Sequence, residues 1–287
     1  MRRISRWWQV RRRYAQCLWG WRASLAVLGL LVLAGGAAAQ LLATEVRVTE
    51  TLAPGHVDWT EGVVLSRDSA TGSARRGAAV VAMQAATQVA RQGLLRVFTQ
   101  VRFDAQQMLG QTVRPGEAPW QALEALVTQA AVVETRYLPR GVVETAVQLP
   151  FAGQLTALFL PASSALTPDD EPKTEAVHTG VVIDARGLAI QPALFPRIVD
   201  ERGQTLYAPE SVDREAAVQQ GYVTYAKVFN QAPAQARIGE HPLVLRALRV
   251  AGESRVDLVL SDAEATRMRD YVATRRLVRQ CRVLIVM

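Results

Sequence analysis

The sequence predicts an α+β protein: two small α+β domains behind an N-terminal signal segment. Three observations carry that reading. Val133, Thr135 and Tyr137 alternate with polar neighbours, and Val143, Thr145, Val147 and Leu149 do the same after Leu138-Pro139-Arg140-Gly141. That is a β-hairpin with Pro at the second turn position and Gly at the fourth. An alanine-rich stretch from Ala78 to Phe98 repeats its small apolar residues at helical spacing. The second half then offers short apolar runs, such as Val181-Val182-Ile183 and Val283-Leu284-Ile285-Val286, of the length and β-branched content of buried strands.

In chain order, residues 1–39 hold seven Arg and no Asp or Glu, followed by an uncharged run from Ala23 to Ala39 that ends in small residues. This is the layout of a secretory signal peptide, with a cut before Gln40. An uncleaved anchor is the competing reading, with Trp7, Trp8, Trp19 and Trp21 at the membrane interface. Either way the body is exported to the periplasm, and membrane contact is confined to residues 1–39. No Cys directly follows the apolar run, so lipidation is not expected.

The net charge of +7 belongs to that segment. The chain has 33 Lys+Arg and 26 Asp+Glu; without the seven leading Arg, 26 face 26. A neutral body has no overall field to attract a phosphate backbone, so a nucleic-acid partner is not expected.

Residues 40–56 are a lead-in, and 57–160 the first domain. Residues 58–65 read as a first strand, 66–73 as a polar loop, and 74 onward as a helix with Ala78, Ala82, Ala85, Val89, Ala90, Leu94, Leu95 and Phe98 on its packed face. A strand at 101–103 follows, then a second helix opened by Pro119, with Leu123, Leu126 and Val127 inward. The hairpin completes a β-α-β-α-β-β order. Residues 161–176, with Pro161, Pro168, Pro172 and the charges Asp169, Asp170, Glu171 and Lys173 among them, are a linker. Residues 177–287 form the second domain. Its strands are expected at 178–184, 197–200, 204–207, 221–229, 243–250, 255–260 and 281–287, with a helix from the Ser261 cap to about Val278.

Several features resemble a known family. Asp58-Trp59-Thr60, the alanine helix, Val132-Val133-Glu134-Thr135-Arg136-Tyr137-Leu138 and Gln148-Leu149-Pro150 look like the Lpp-twenty lipoprotein-type domain. That domain is similar to the N-terminal module of flagellar assembly protein T. The stretches 179–188, 211–221 and 281–286 look like an extension carried by bacterial envelope proteins with this domain. The resemblance implies an envelope location and an assembly or binding role, and it supplies no catalytic residues.

No catalytic residue, metal site or cofactor is expected. His56, His178 and His241 are far apart in sequence with no ligand spacing, and no nucleophile elbow, phosphate loop or dinucleotide fingerprint occurs. Asp184-Ala185-Arg186-Gly187 at a strand end is the one candidate ligand site; Asp184 and Arg186 either grip an anionic or cell-wall ligand or pair with each other at a turn. Asp200-Glu201-Arg202-Gly203 reads as a hairpin loop. Cys281, in an apolar context, reads as a buried thiol. The hairpin around Pro139 and the basic helix around Arg275 both present surface. The expected function is a non-enzymatic structural, assembly or protein-interaction factor of the envelope. The alternatives are a ligand-binding module or, third, an unrecognised hydrolase.

Overall fold

In the computed structural model, residues 47–72, 77–161, 178–228, 230–270 and 272–287 are described. The signal or anchor segment and most of the 161–176 linker therefore lie outside the described residues. Both helices and two sheets are present, and the fold is α+β.

The first sheet is antiparallel throughout, in the order β1-β2-β3-β5-β4. β1 (Thr49–Leu52) and β2 (Gly55–Asp58) form a hairpin, and β3 (Val63–Thr71) pairs with β2. The expected lead-in thus contributes β1 and the start of β2, and the expected loop at 66–73 is mostly strand. Arg67 and Ser69 face out of a sheet with one covered side and are exposed, whereas Ser66 faces the helix and is buried. Helix α1 (Ala78–Gln100) packs on β3 and β5 through Ala82, Ala86, Ala90, Gly93, Leu94, Val97 and Phe98. Ala85 is exposed and Ala86 takes its place, while Ala82, Ala90, Leu94 and Phe98 are buried as expected. Small residues let the helix lie close to the sheet. A Cβ on Gly93 would sit 2.2 Å from Ser66 Oγ.

Residues 101–103 form no strand; Arg102 makes only a single bridge to Met108. A one-turn helix, α2 (Leu109–Thr112), and α3 (Ala118–Thr128) follow, with Leu123, Leu126 and Val127 buried as expected. β4 (Ala131–Leu138) and β5 (Val142–Pro150) are the expected hairpin around Pro139–Gly141. The order is therefore β-β-β-α-α-α-β-β. Then α4 (Gln154–Phe159) leads out.

The second sheet is mixed, in the order β8-β7-β11-β10-β6-β12-β9. Its strands are β6 (Val181–Asp184), β7 (Ile198–Asp200), β8 (Thr205–Tyr207), β9 (Thr224–Ala226), β10 (Leu243–Ala251), β11 (Asp257–Leu260) and β12 (Val283–Val286). β6 runs parallel to both β10 and β12, and β12 parallel to β9. β6 and β12 are buried on both faces, which is why their sequences are unbroken apolar runs. One face joins the core shared with the first sheet; the other lies under α6 (Ala232–Ile238) through Val182, Leu284, Val286 and Ile238. Gly180 permits that cover, since a Cβ there would meet the Ile238 backbone at 2.5 Å. Two helices escape periodicity. α5 (Arg214–Gln220) is capped by Asp213, whose Oδ1 accepts from Glu215 N at 2.8 Å, and α6 carries Pro233 in its first turn. The late helix is two: α7 (Asp262–Asp270) and α8 (Val272–Arg279), with Ser261 Oγ accepting from Glu264 N at 3.3 Å.

The two sheets share one apolar core within a compact unit from Arg47 to Met287. An aromatic seam joins them. Phe103 lies 5.2 Å from Phe195, Phe195 5.3 Å from Tyr222, and Trp59 5.7 Å from Tyr225, ring centre to ring centre. Backbone bonds reinforce it: Leu194 N and Phe195 N donate to the carbonyls of Arg102 and Phe103. Arg214 donates to the carbonyls of Ala157 and Leu160 at the end of α4.

Candidate functional site

β6 ends at Asp184, with Arg246 of β10 and Val286 of β12 as its register neighbours. The following turn brings Arg186 back onto Asp184. Nε donates to Oδ1 at 2.8 Å, Nη2 to Oδ2 at 2.6 Å, and the Arg186 backbone N–H to Oδ1 at 3.1 Å. The Arg186 guanidinium holds the Asp184 carboxyl below its ordinary range, with a smaller push from Arg246. The pair therefore closes its own turn, and the carboxylate is largely committed. A groove of about 400 Å³ lies beside it, lined by Arg186, Leu188, Arg246, Leu248, Ser261 and Glu264. Arg246 was not among the sequence candidates. Its signal was its alternation with Leu245 and Ala247, which sends it to the outer face of β10.

The other sequence candidates have structural employment. Asp200 is buried, accepts from Arg202 N and Gln204 N across the β7–β8 turn, and pairs with Arg269 at 2.6 Å. This pins the turn to α7. Arg269 holds the Asp200 carboxyl below its usual range. Arg267 pairs with Glu264, so the basic helix face is partly neutralised. Cys281 is buried just before β12, and desolvation pushes its thiol up to about 11. Among the described residues no group of His, Cys, Asp and Glu is arranged to hold a metal ion. None of their helices is long and apolar enough to cross a membrane.

Sequence reasoning missed Arg237. It is buried, and burial lowers its pKa. Nη1 donates to the carbonyls of Cys281 at 2.6 Å and Gly221 at 3.1 Å, and Nη2 donates to Gln220 O. It caps the orphan carbonyls at the end of α5 and ties them to the turn before β12. It also borders a cleft of only about 70 Å³ at the seam, beside Trp59, Phe151 and Tyr222.

The most open feature is the edge of the first sheet. Among the described residues β4 pairs with β5 on one side and with no strand on the other. Its exposed side chains are largely apolar: Val132 is 47% exposed, Val133 49%, Tyr137 67% and Leu138 41%. Glu134 and Arg136 sit between them in an ion-pair cluster. Glu134 meets Arg67 and Arg136 at 2.5 Å each, and Arg67 meets Glu144 at 2.7 Å. Arg67 chiefly, and Arg136 next, hold the Glu134 carboxyl below its ordinary range. A bulge falls between Val132 and Glu134. An eight-residue exposed edge with this composition is a template for a further strand.

Residues 180–287 match the second domain of Treponema pallidum Tp0624. The matched segment holds all seven strands of the second sheet, β6 to β12. No curated protein matches the chain.

Proposed function

We propose that this chain is a non-catalytic cell-envelope protein that acts as a structural or assembly factor by binding a protein partner. The open β4 edge is the observation that carries the reading. Proteins ordinarily blunt such edges with short strands, charges or bulges. β4 has a bulge at one end, yet from Glu134 to Leu138 it stays regular with its charges paired. Partner-binding proteins use this kind of edge for strand addition. Export rests on the Arg-rich, apolar and small-residue order of residues 1–39. The Lpp-twenty and flagellar assembly protein T resemblance is in keeping with an outer-membrane or flagellar setting. The commitment of Asp184 to Arg186 supports a structural part for that pair.

The test is a photo-crosslinking residue at Tyr137 in intact cells, with a second at Glu253, an exposed turn position on the other sheet. Tyr137 should give the same identified envelope adduct in each replicate, and Glu253 none. A turnover in a hydrolase panel that vanishes with Asp184→Ala, without any adduct, would overturn the proposal.

The groove between Arg186 and Arg246 favours one second reading, an anionic or cell-wall ligand at the strand ends. Titration with a muropeptide should then show saturable binding that Arg246→Ala weakens at least fivefold.

A further inference from the structure

We propose that β4 pairs antiparallel with β4 of a second copy of this chain, about a two-fold axis through Thr135. The inference rests on the reading of β4 as a docking edge and names its occupant. The strand is complementary to itself in this register. Thr135 faces Thr135 of the second copy and Glu134 faces Arg136, with the bulged Val133 beside Tyr137 at either end. These pairs are hydroxyl with hydroxyl and charge-opposed, combinations that stabilise antiparallel neighbours, and apolar side chains flank them.

The neighbouring registers fail on charge. A continuous sheet requires the axis to pass through a residue, because opposite side chains must leave by the same face. An axis through Arg136 places Arg136 on Arg136, and one through Glu134 places Glu134 on Glu134. Like charges directly opposite are destabilising. In the Thr135 register, Glu134 and Arg136 share the outer face with Arg67 and Glu144, as their pairing with Ala146 and Glu144 of β5 requires. Joining two copies merges two balanced clusters into one network of four cations and four anions. The two-fold places the Val133 bulge of one copy or the other at each end of the ladder, beyond a central segment, Glu134 to Arg136, that is regular in both copies. On the inner face α1 covers β3 and β5, so the helices of the two copies are separated by both β4 strands and leave Thr135 and Tyr137 open to meet.

The experiment uses the full chain in intact cells, with Cys17→Ser to leave the buried Cys281 as background. Opposed residues in such a ladder have Cα atoms about 4.5–5.5 Å apart, within disulfide range. Under mild oxidation Thr135→Cys should give at least tenfold more disulfide dimer than Glu253→Cys. Tyr137→Cys, as exposed but facing Val133 of the other copy, should stay near the Glu253→Cys level. Adding Glu134→Arg to Thr135→Cys should cut the dimer at least fivefold, and adding Arg136→Glu to that variant should restore most of it. Dimer from Thr135→Cys no greater than from Glu253→Cys overturns the self-pairing, as does equal dimer from Tyr137→Cys. If β4 cysteines or photo-crosslinkers instead yield an adduct with a different protein, self-pairing falls and the docking-edge reading stands. If β4 yields no adduct of either kind, both fall.

Discussion

Asp200 and Arg269 meet at 2.6 Å across 69 residues of chain, and the Asp200 side chain is 1% exposed where they meet. A four-residue hairpin turn is thereby fastened to the helix that follows β11. Arg269 favours the ionised carboxyl, so its folded pKa lies below that of an unfolded Asp, about 3.9. The stabilisation is present above that unfolded value and is lost as pH falls through the folded one. Asp200→Asn should lower the melting temperature at pH 7 and flatten its decline below about pH 4. Calorimetry from pH 2 to 7 reads both effects; parallel curves for variant and parent would refute the assignment.

Cys281 should be inert in the folded protein. With its pKa pushed up to about 11, only about one thiol in three thousand is ionised at pH 7.5, and the sulfur is buried besides. In a Cys17→Ser chain, a thiol reagent should take up less than about a tenth of an equivalent natively and one equivalent in denaturant. Rapid native labelling would contradict this placement.

Gly93 and Ser66 set how closely α1 approaches the sheet. Gly93→Ala drives a Cβ to 2.2 Å from Ser66 Oγ and 3.1 Å from Pro54 Cγ. Overpacking of this kind should cost about 1–3 kcal/mol. Ser66→Ala removes the nearest atom, so the double variant should recover a large part of the loss. Urea denaturation of the full cycle measures the coupling, and additive costs would show that the contact is not what limits the helix.

Thr145 is fully buried on β5, and its Oγ1 has no hydrogen-bond partner among the described residues. An orphaned buried hydroxyl costs about 1–3 kcal/mol, and Val fills the same volume. Thr145→Val should stabilise the protein by about 1 kcal/mol, raising the melting temperature by about 2–4 °C for a chain of this size. A lower melting temperature would mean that the hydroxyl has a role its surroundings do not reveal.

Arg237 should tolerate no truncation. Arg237→Ala strands three carbonyls, those of Gln220, Gly221 and Cys281, in a buried site. A loss of about 2–4 kcal/mol is expected from urea denaturation, because each abandoned acceptor keeps its desolvation cost. Arg237→Lys should recover only part of it, since an ammonium lacks the planar fork that spans the carbonyls.

The local features of this protein were legible in its sequence because local chemistry decides them. Alternation and the Pro139–Gly141 turn determine the β4–β5 hairpin. Unbroken apolar runs determine that β6 and β12 are buried on both faces, and Ser261 determines where α7 begins. The apolar context of Cys281 likewise determines its burial. Even the α1 stripe was right to within one residue; Ala85 and Ala86 are both small, so composition does not separate them, and only the sheet beneath selects Ala86. Tertiary structure alone decided the rest, since periodicity gives a strand its faces and says nothing of its neighbours. β4 is an edge because β5 spends its other side on β3, a strand more than 70 residues earlier whose stretch from Ser66 onward read as a polar loop. Arg237 is buried because α5 and the turn before β12 bring three carbonyls to it from elsewhere in the chain. Asp184 and Arg186 were legible in sequence as either a ligand grip or a self-paired turn, and the backbone after β6 brings the guanidinium within hydrogen-bond reach of the carboxylate.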